Sequence, residues 1–201
     1  MSAARLGILV SGRGSNMEAL AVAIDEGRVP AEIALVVSNV PDAPALARAA
    51  ARGLRTLVLD SRGRKRAEHD VSVDAALEEA GVTLTCLAGY MRLLSPGFVA
   101  RWSDRLLNVH PSLLPAFPGL EPQRQALEHG VKVSGATVHF VDENLDAGPI
   151  VVQEAVPVLE GDDVAALSAR ILAVEHRIYP EAVRLVATGA VRIEGRRVVR
   201  I

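Results

Sequence analysis

Cysteine is nearly missing: one residue, Cys86, stands in the apolar run VTLTCLAGY. No disulfide can form within the chain, which sets aside a small cross-linked scaffold. A lone thiol in such a run reads as a small buried hydrophobe. Aromatic residues are scarce as well, with one Trp, two Tyr and three Phe. The core must therefore be assembled from Ala, Val, Leu and Ile. No apolar run approaches the ~20 residues that a membrane-spanning helix needs. The N-terminal run LGILV is too short for a signal sequence, and SGRGSN follows it at once. A soluble cytoplasmic protein without a membrane partner is expected. An excess of one charge is also lacking. The formal net charge is −2, and no basic footprint for nucleic acid stands out.

Half of the residues are hydrophobic, ample for one sizeable core, and 201 residues suit a single domain over 1–201. Short apolar runs bounded by Gly, Pro or polar residues predict strands over 5–11, 32–39, 55–60, 82–89 and 105–110. Helical stretches separate them. One follows SGRGSN, starting near Met17 with Ser15 or Asn16 as its cap. Others are PDAPALARAAARG, the stretch running from 61–70 into VSVDAALEEAG, and a short helix after Pro96. The alternation predicts a parallel sheet with helices on both faces. Residues 123–130 continue as a helix. KVSGATVHFVDE alternates and is β-branched, so it predicts a half-exposed strand. A turn and another strand follow in NLDAGPIVVQEAVPV, making part of the sheet antiparallel. Residues 164–189 form a long amphipathic helix with a kink or break at Pro180. Residues 190–201 predict a hairpin around Glu194-Gly195. The fold class is α/β and Rossmann-like: a mostly parallel central sheet flanked by helices, with an antiparallel portion toward the C-terminus.

Four stretches carry candidate chemistry. In SGRGSN, Gly12 and Gly14 allow close backbone approach, and the next helix offers free N–H groups, which suits a phosphate. An ordinary strand-to-helix turn explains it equally well. It is neither a dinucleotide fingerprint, since position 17 is Met, nor a P-loop. In LAGYMRLLSP, Met91, Leu93 and Leu94 either line a flat apolar slot with Arg92 beside it or pack under the next helix. In LLNVHPSLLPAFPGL, Asn108 and His110 lie two apart at a strand end, on one side of the backbone. Pro111, Pro115 and Pro118 stop that strand and hold its exit. In HFVDENLDAGP, Asp146 sits in a glycine-containing turn near Asp142 and Glu143. A histidine working near neutral pH needs such a carboxylate. His139 is expected as a core histidine. Arg66, Arg124 and Glu175 read as surface charges. No spacing of His, Cys or acids calls for a metal, and no G-x-S-x-G elbow supports a serine hydrolase.

Taken together and in order, SGRGSN, LAGYMRLLSP, NVHPSLLPAFPG, TVHFVDENLDAGPI and EHRIYPEAV resemble the phosphoribosylglycinamide formyltransferase family over almost the whole chain. The resemblance implies the formyltransferase fold and a direct, metal-free transfer. A formyl group would move from 10-formyltetrahydrofolate, as co-substrate, to the amine of glycinamide ribonucleotide. It implies Asn108, His110 and Asp146 as catalytic residues, and Gly14, Ser15, Asn16 and Glu175 as ribonucleotide contacts. Folate contacts would be Arg66, Met91, Arg92, Leu93, Leu94, Asn108 and the loop Asp142, Glu143, Asn144, Leu145 and Asp146. Residues 1–105 become the ribonucleotide-phosphate half, 106–189 the catalytic and folate half, and 190–201 a terminal hairpin. Partners are small molecules, with no nucleic acid, and the chain is expected as monomer or homodimer. Some relatives place a histidine where Glu121, Pro122 and Gln123 stand. A formyltetrahydrofolate hydrolase and a non-catalytic folate- or nucleotide-binding protein are the alternatives.

Overall fold

A computed structural model describes residues 3–201. The elements follow in order as β1 (Ala4–Val10), α1 (Ser15–Asp25), β2 (Ala31–Ser38), α2 (Pro44–Ala51), β3 (Thr56–Val58) and α3 (Arg66–Glu79). Next come β4 (Leu84–Leu87), α4 (Pro96–Arg101), β5 (Leu106–His110), α5 (Pro122–Glu128), β6 (Val133–Phe140) and β7 (Ile150–Pro157). The chain closes with α6 (Val164–Ala187), β8 (Val191–Glu194) and β9 (Arg197–Arg200).

The strands join one sheet in the order β3-β2-β1-β4-β5-β6-β7-β9-β8. β1 to β5 pair in parallel, whereas β6 runs antiparallel to both β5 and β7. The expected mixed α/β architecture is therefore what the chain adopts. From β1 the chain first builds outward to β3, then returns and builds the other way from β4. The strand order thus reverses between β1 and β4, and loops leaving their carboxyl ends diverge to open a crevice. SGRGSN leaves β1 there, and LAGYMRLLSP leaves β4.

Successive side chains on a strand face opposite sides. Accordingly Leu6, Ile8 and Val10 enter one core with Met17 and Leu20 of α1 and Leu167, Ile171 and Val174 of α6. Leu9 enters the other, with Val73 and Leu77 of α3 and Phe98 and Val99 of α4. Cys86 is fully buried, and burial pushes its thiol up to about 12, which suits a packing residue.

Three local expectations are corrected. The N-cap of α1 is Gly14, left-handed at φ 79°, and no side chain caps the helix. Asn16 has turned its amide inward to another partner. β6 is not half exposed: Ser134 to Phe140 are all buried, because β5 and β7 flank the strand and α6 covers it. Finally, α6 runs unbroken from Val164 to Ala187 through Pro180. Pro180 is itself buried there, and packing of the apolar face holds the turn despite the missing N–H.

Candidate active site

β5 delivers Asn108 and His110 to the carboxyl edge of the sheet. Asn108 is paired with Leu87 on one side and lies directly opposite His139 of β6 on the other. That cross-strand pairing puts the Asn108 amide 3.2 Å from His139 Nε2. His139 Nδ1 donates to the Phe140 carbonyl at 2.9 Å, so its Nε2 accepts from the Asn108 Nδ2–H. Burial lowers the pKa of His139; the Phe140 hydrogen bond and the charge of Asp146 oppose this only in part. The neutral ring is thus the stable form, and it fixes the Asn108 amide with a second N–H left to offer.

His110 is buried, and its Nε2–H donates to the Phe117 carbonyl at 2.9 Å. Its other nitrogen, Nδ1, lies 3.5 Å from Asp146 Oδ2. Protonation at Nδ1 turns that contact into an ion pair. Asp146 is itself anchored, with Oδ2 accepting from Gly119 N–H at 2.8 Å, and Oδ1 stands 3.9 Å from His139 Nε2. One carboxylate therefore faces two imidazoles. Reaching this position takes an uncommon backbone, since Asp146 has φ 50°. Two residues on, Gly148 packs so closely that an added Cβ would run into the Phe140 carbonyl.

The exit from β5 is held by more than its prolines. Thr137 Oγ1 of β6 donates to Ser112 O at 2.7 Å and accepts from Leu114 N–H at 3.1 Å. Gln153 of β7 donates to Leu114 O at 2.7 Å. These bonds fix the path that brings Phe117 O to His110 and Gly119 N–H to Asp146.

At the carboxyl end of β1, Gly14 touches α2; a Cβ there would come within 2.6 Å of Ala45 Cβ. Ser15 opens α1. Asn16 donates from Nδ2 to Glu175 Oε2 of α6 at 2.6 Å, and both side chains are buried. Asn16 Oδ1 is buried without a partner among the described residues. Burial raises the pKa of Glu175, with the Asn16 hydrogen bond and nearby Arg13 opposing. Glu175 is therefore no surface charge.

The two loops of the crevice are stitched together. Ser11 Oγ accepts from Met91 N–H at 2.8 Å and donates to Asn39 Oδ1 at 2.5 Å. Met91 and Leu93 are 74% and 56% exposed, so they are not packed under a helix. Leu94 is half-buried against the second core. Arg92 turns away and donates to Ser61 O at 3.3 Å and Arg64 O at 2.9 Å. In the loop 142–146, Glu143, Asn144 and Leu145 are exposed and Asp142 Oδ1 accepts from Asn144 N–H at 2.9 Å. Arg66 begins α3, exposed, in the segment whose carbonyls Arg92 holds. Its side chain is not joined to any other site residue. No group of three His, Cys, Asp or Glu among the described residues is arranged to hold a metal.

His139 is the buried, hydrogen-bonded histidine that the sequence leads one to expect, and it also touches Asn108. Its placement depends on the β5–β6 register, which no local signal encodes. Thr137 and Gln153 were missed for the same reason.

A formyl transferase family profile matches residues 4–183. The chain belongs to the formyl transferase family. Within it, a phosphoribosylglycinamide formyltransferase of Escherichia coli is 40% identical over 92% of this chain and 88% of its own length. A human trifunctional purine biosynthetic protein, adenosine-3, is 48% identical over 94% of this chain. This formyl transferase chain spans only 19% of that human relative. Glycinamide ribonucleotide transformylase 1 of Symbiobacterium toebii superposes with a TM-score of 0.97 at 53% identity, covering 100% of this chain and 95% of that one. Among the described residues, no helix is long and apolar enough to cross a membrane.

Proposed function

We propose that the chain transfers the formyl group of 10-formyltetrahydrofolate to the amine of 5-phosphoribosylglycinamide, giving formylglycinamide ribonucleotide and tetrahydrofolate in purine biosynthesis. The observation that supports this best is the convergence of Asn108, His110 and Asp146 on one point of the sheet edge. Beside that point, an exposed apolar slot suited to a flat aromatic ring leaves β4, and a glycine turn suited to phosphate leaves the next strand, β1.

The chemistry follows from the groups present. The uncharged amine attacks the formyl carbon, and the carbonyl oxygen becomes an oxyanion. Asn108, oriented by His139, offers its free N–H to that oxygen; such a donor is worth about 3 kcal/mol. His110, protonated at Nδ1 against Asp146, supplies a held positive charge next to the developing negative one. As the intermediate collapses, the attacking nitrogen gives up a proton to solvent, the carbon–nitrogen bond to the folate breaks, and the departing folate nitrogen takes up a proton from His110. Neither a covalent enzyme intermediate nor a metal enters this scheme, and much of the acceleration comes from holding two substrates in register. Gly14, Ser15 and Asn16 would hold the ribonucleotide phosphate end, and Glu175 would secure Asn16. Met91, Leu93, Leu94, the backbone at Arg92 and the loop 142–146 would enclose the folate, with Arg66 at its outer end. We further assign the protein to the cytoplasm, as monomer or homodimer.

Incubation with both substrates and chromatography of the products tests the proposal. Formylglycinamide ribonucleotide should accumulate in step with tetrahydrofolate. Formate release that ignores the amine would make the chain a hydrolase. Binding of both substrates without any product would make it a binding protein.

A further inference from the structure

The terminal hairpin has no part in the reaction described above, yet its tip meets the loop that carries Asp146. β8 and β9 pair antiparallel from Val191 opposite Arg200 to Glu194 opposite Arg197, which leaves Gly195 and Arg196 as a two-residue turn. Gly195 takes φ 61°, the positive value that tight hairpin turns require at their first central position. The hairpin is fastened to the body of the molecule. Ala190 N–H donates to Leu185 O of α6 at 2.9 Å, and Ile193 and Val198 pack on the core that α6 covers. β9 joins the sheet in parallel with β7, and Arg197 stands opposite Ile150. Since the two strands run the same way, the residue before Arg197 lies beside those that lead into Ile150, the end of the loop 141–149. There Arg196 donates from Nη2 to the Ala147 carbonyl at 2.9 Å.

That loop has few other ties. Its ends are held by Val141 N–H on Leu106 O and Phe140 N–H on Pro149 O, both at 2.9 Å. Among the described residues, Arg196 is the one group outside the loop that hydrogen-bonds its backbone between Glu143 and Gly148. Asp146 lies inside this stretch, at φ 50°. For a residue other than glycine such a backbone is disfavoured, and it persists only where its surroundings hold it. Its carboxylate stands 3.5 Å from His110 Nδ1 and 3.9 Å from His139 Nε2. The Ala147 carbonyl belongs to the very next residue, so holding it limits backbone rotation on the far side of Asp146. From within, Gly119 N–H holds the carboxylate; from without, Arg196 holds the backbone.

Resting on the role given to Asp146 above, we propose that Arg196 is a positioning residue for the formyl transfer: from the hairpin tip it pins the Ala147 carbonyl and so keeps the Asp146 carboxylate in line with His110. The guanidinium stays charged at every working pH, which makes its hydrogen bond a charge-assisted one.

Arg196→Ala removes the donor at an exposed turn, where the fold has little to lose, so the melting temperature should stay within about 4 °C of the unaltered chain. Its kcat should fall about fivefold, the worth of one modest hydrogen bond, with ribonucleotide KM unchanged. Arg196→Lys keeps a cationic donor and should recover part of that loss. Arg192, exposed and bonded to Glu194 at 2.8 Å, supplies the control. Arg192→Gln takes a cation from the same hairpin and leaves the Ala147 bond intact, so its kcat should equal that of the unaltered chain. Hydrogen exchange of the peptide 141–149 should quicken in Arg196→Ala and not in Arg192→Gln. The deciding comparison sets Asp146→Asn beside the double variant Asp146→Asn, Arg196→Ala. If Arg196 acts through Asp146, the two should agree within about twofold. A further loss of about fivefold in the double variant would overturn the proposal. So would an unchanged kcat in Arg196→Ala, or an equal loss in Arg192→Gln. Failure of the underlying reading is told apart by Asp146→Asn alone: full activity there would remove Asp146 from the chemistry, and this proposal with it.

Discussion

His110 has one ring nitrogen committed to the Phe117 carbonyl and one left to change its proton opposite Asp146. Under the proposed mechanism, replacing it removes the group that meets the developing oxyanion. His110→Ala should therefore lower kcat by about 10²- to 10⁴-fold. Ribonucleotide binding, measured by titration calorimetry, should stay near that of the unaltered chain, because the glycine turn at β1 is a separate element. Near-normal turnover in that variant would remove His110 from the chemistry. His139 acts one step back, through Asn108. His139→Leu keeps the volume apolar but takes away the acceptor that orients the amide. The expected outcome is a fall in kcat of about tenfold, equivalent to about 1.4 kcal/mol of transition-state stabilisation, with both KM values little changed. An equal rise in KM would point instead to general loosening of the pocket. That Asn108 and His110 reach one edge of the sheet together was legible in the sequence, since an amide and an imidazole at i and i+2 share a strand face. The contact of His139 with Asn108 was not, because its approach is a matter of register between two strands.

The loop joining β6 to β7 carries Asp146 at positive φ and is seated by Gly148 against the Phe140 carbonyl. Gly148→Ala forces a methyl group into that seat. Overpacking of this kind costs about 1–3 kcal/mol, read as a lower melting temperature. The same shift should carry Asp146 away from His110 and reduce kcat more than tenfold in protein that is still folded. Full activity in a folded Gly148→Ala protein would mean that the loop finds its place by other contacts. The element boundaries in the first half followed closely from apolar runs and glycine stops. β6 did not, because alternation in KVSGATVHFVDE suggests one wet face. Its Thr137 and His139 are buried polar residues with bonding tasks, and a pattern cannot tell those from exposed ones.

Across the whole molecule, two buried ionisable groups set opposite pH limits. His139 has its pKa lowered by burial, so the unfolded chain binds its proton more readily. Stability from this group is present above the ordinary histidine value near 6.5 and is lost as pH falls through the lowered one. Glu175 has its pKa raised by burial. Its contribution is complete below the ordinary carboxyl value near 4.3 and is lost as pH rises through the raised value. Glu175→Gln keeps an oxygen for Asn16 and removes the charge. Urea unfolding should show the variant gaining on the unaltered chain as pH rises from 4 to 7. A constant gap would mean that Glu175 does not titrate differently on folding. By itself the amino-acid sequence determined the alternating strands and helices and the glycine and proline punctuation of its loops. These are encoded by periodicity and by backbone stereochemistry, which are local. Only the tertiary structure decided that Asn16 is held by a glutamate of α6 and that His139 meets Asn108. It also decided that one aspartate faces two histidines, and that Arg92 reaches the Ser61 and Arg64 carbonyls while Met91 and Leu93 lie exposed. Those contacts join residues far apart in the chain, and their geometry exists only once the sheet register and the packing of α6 are complete.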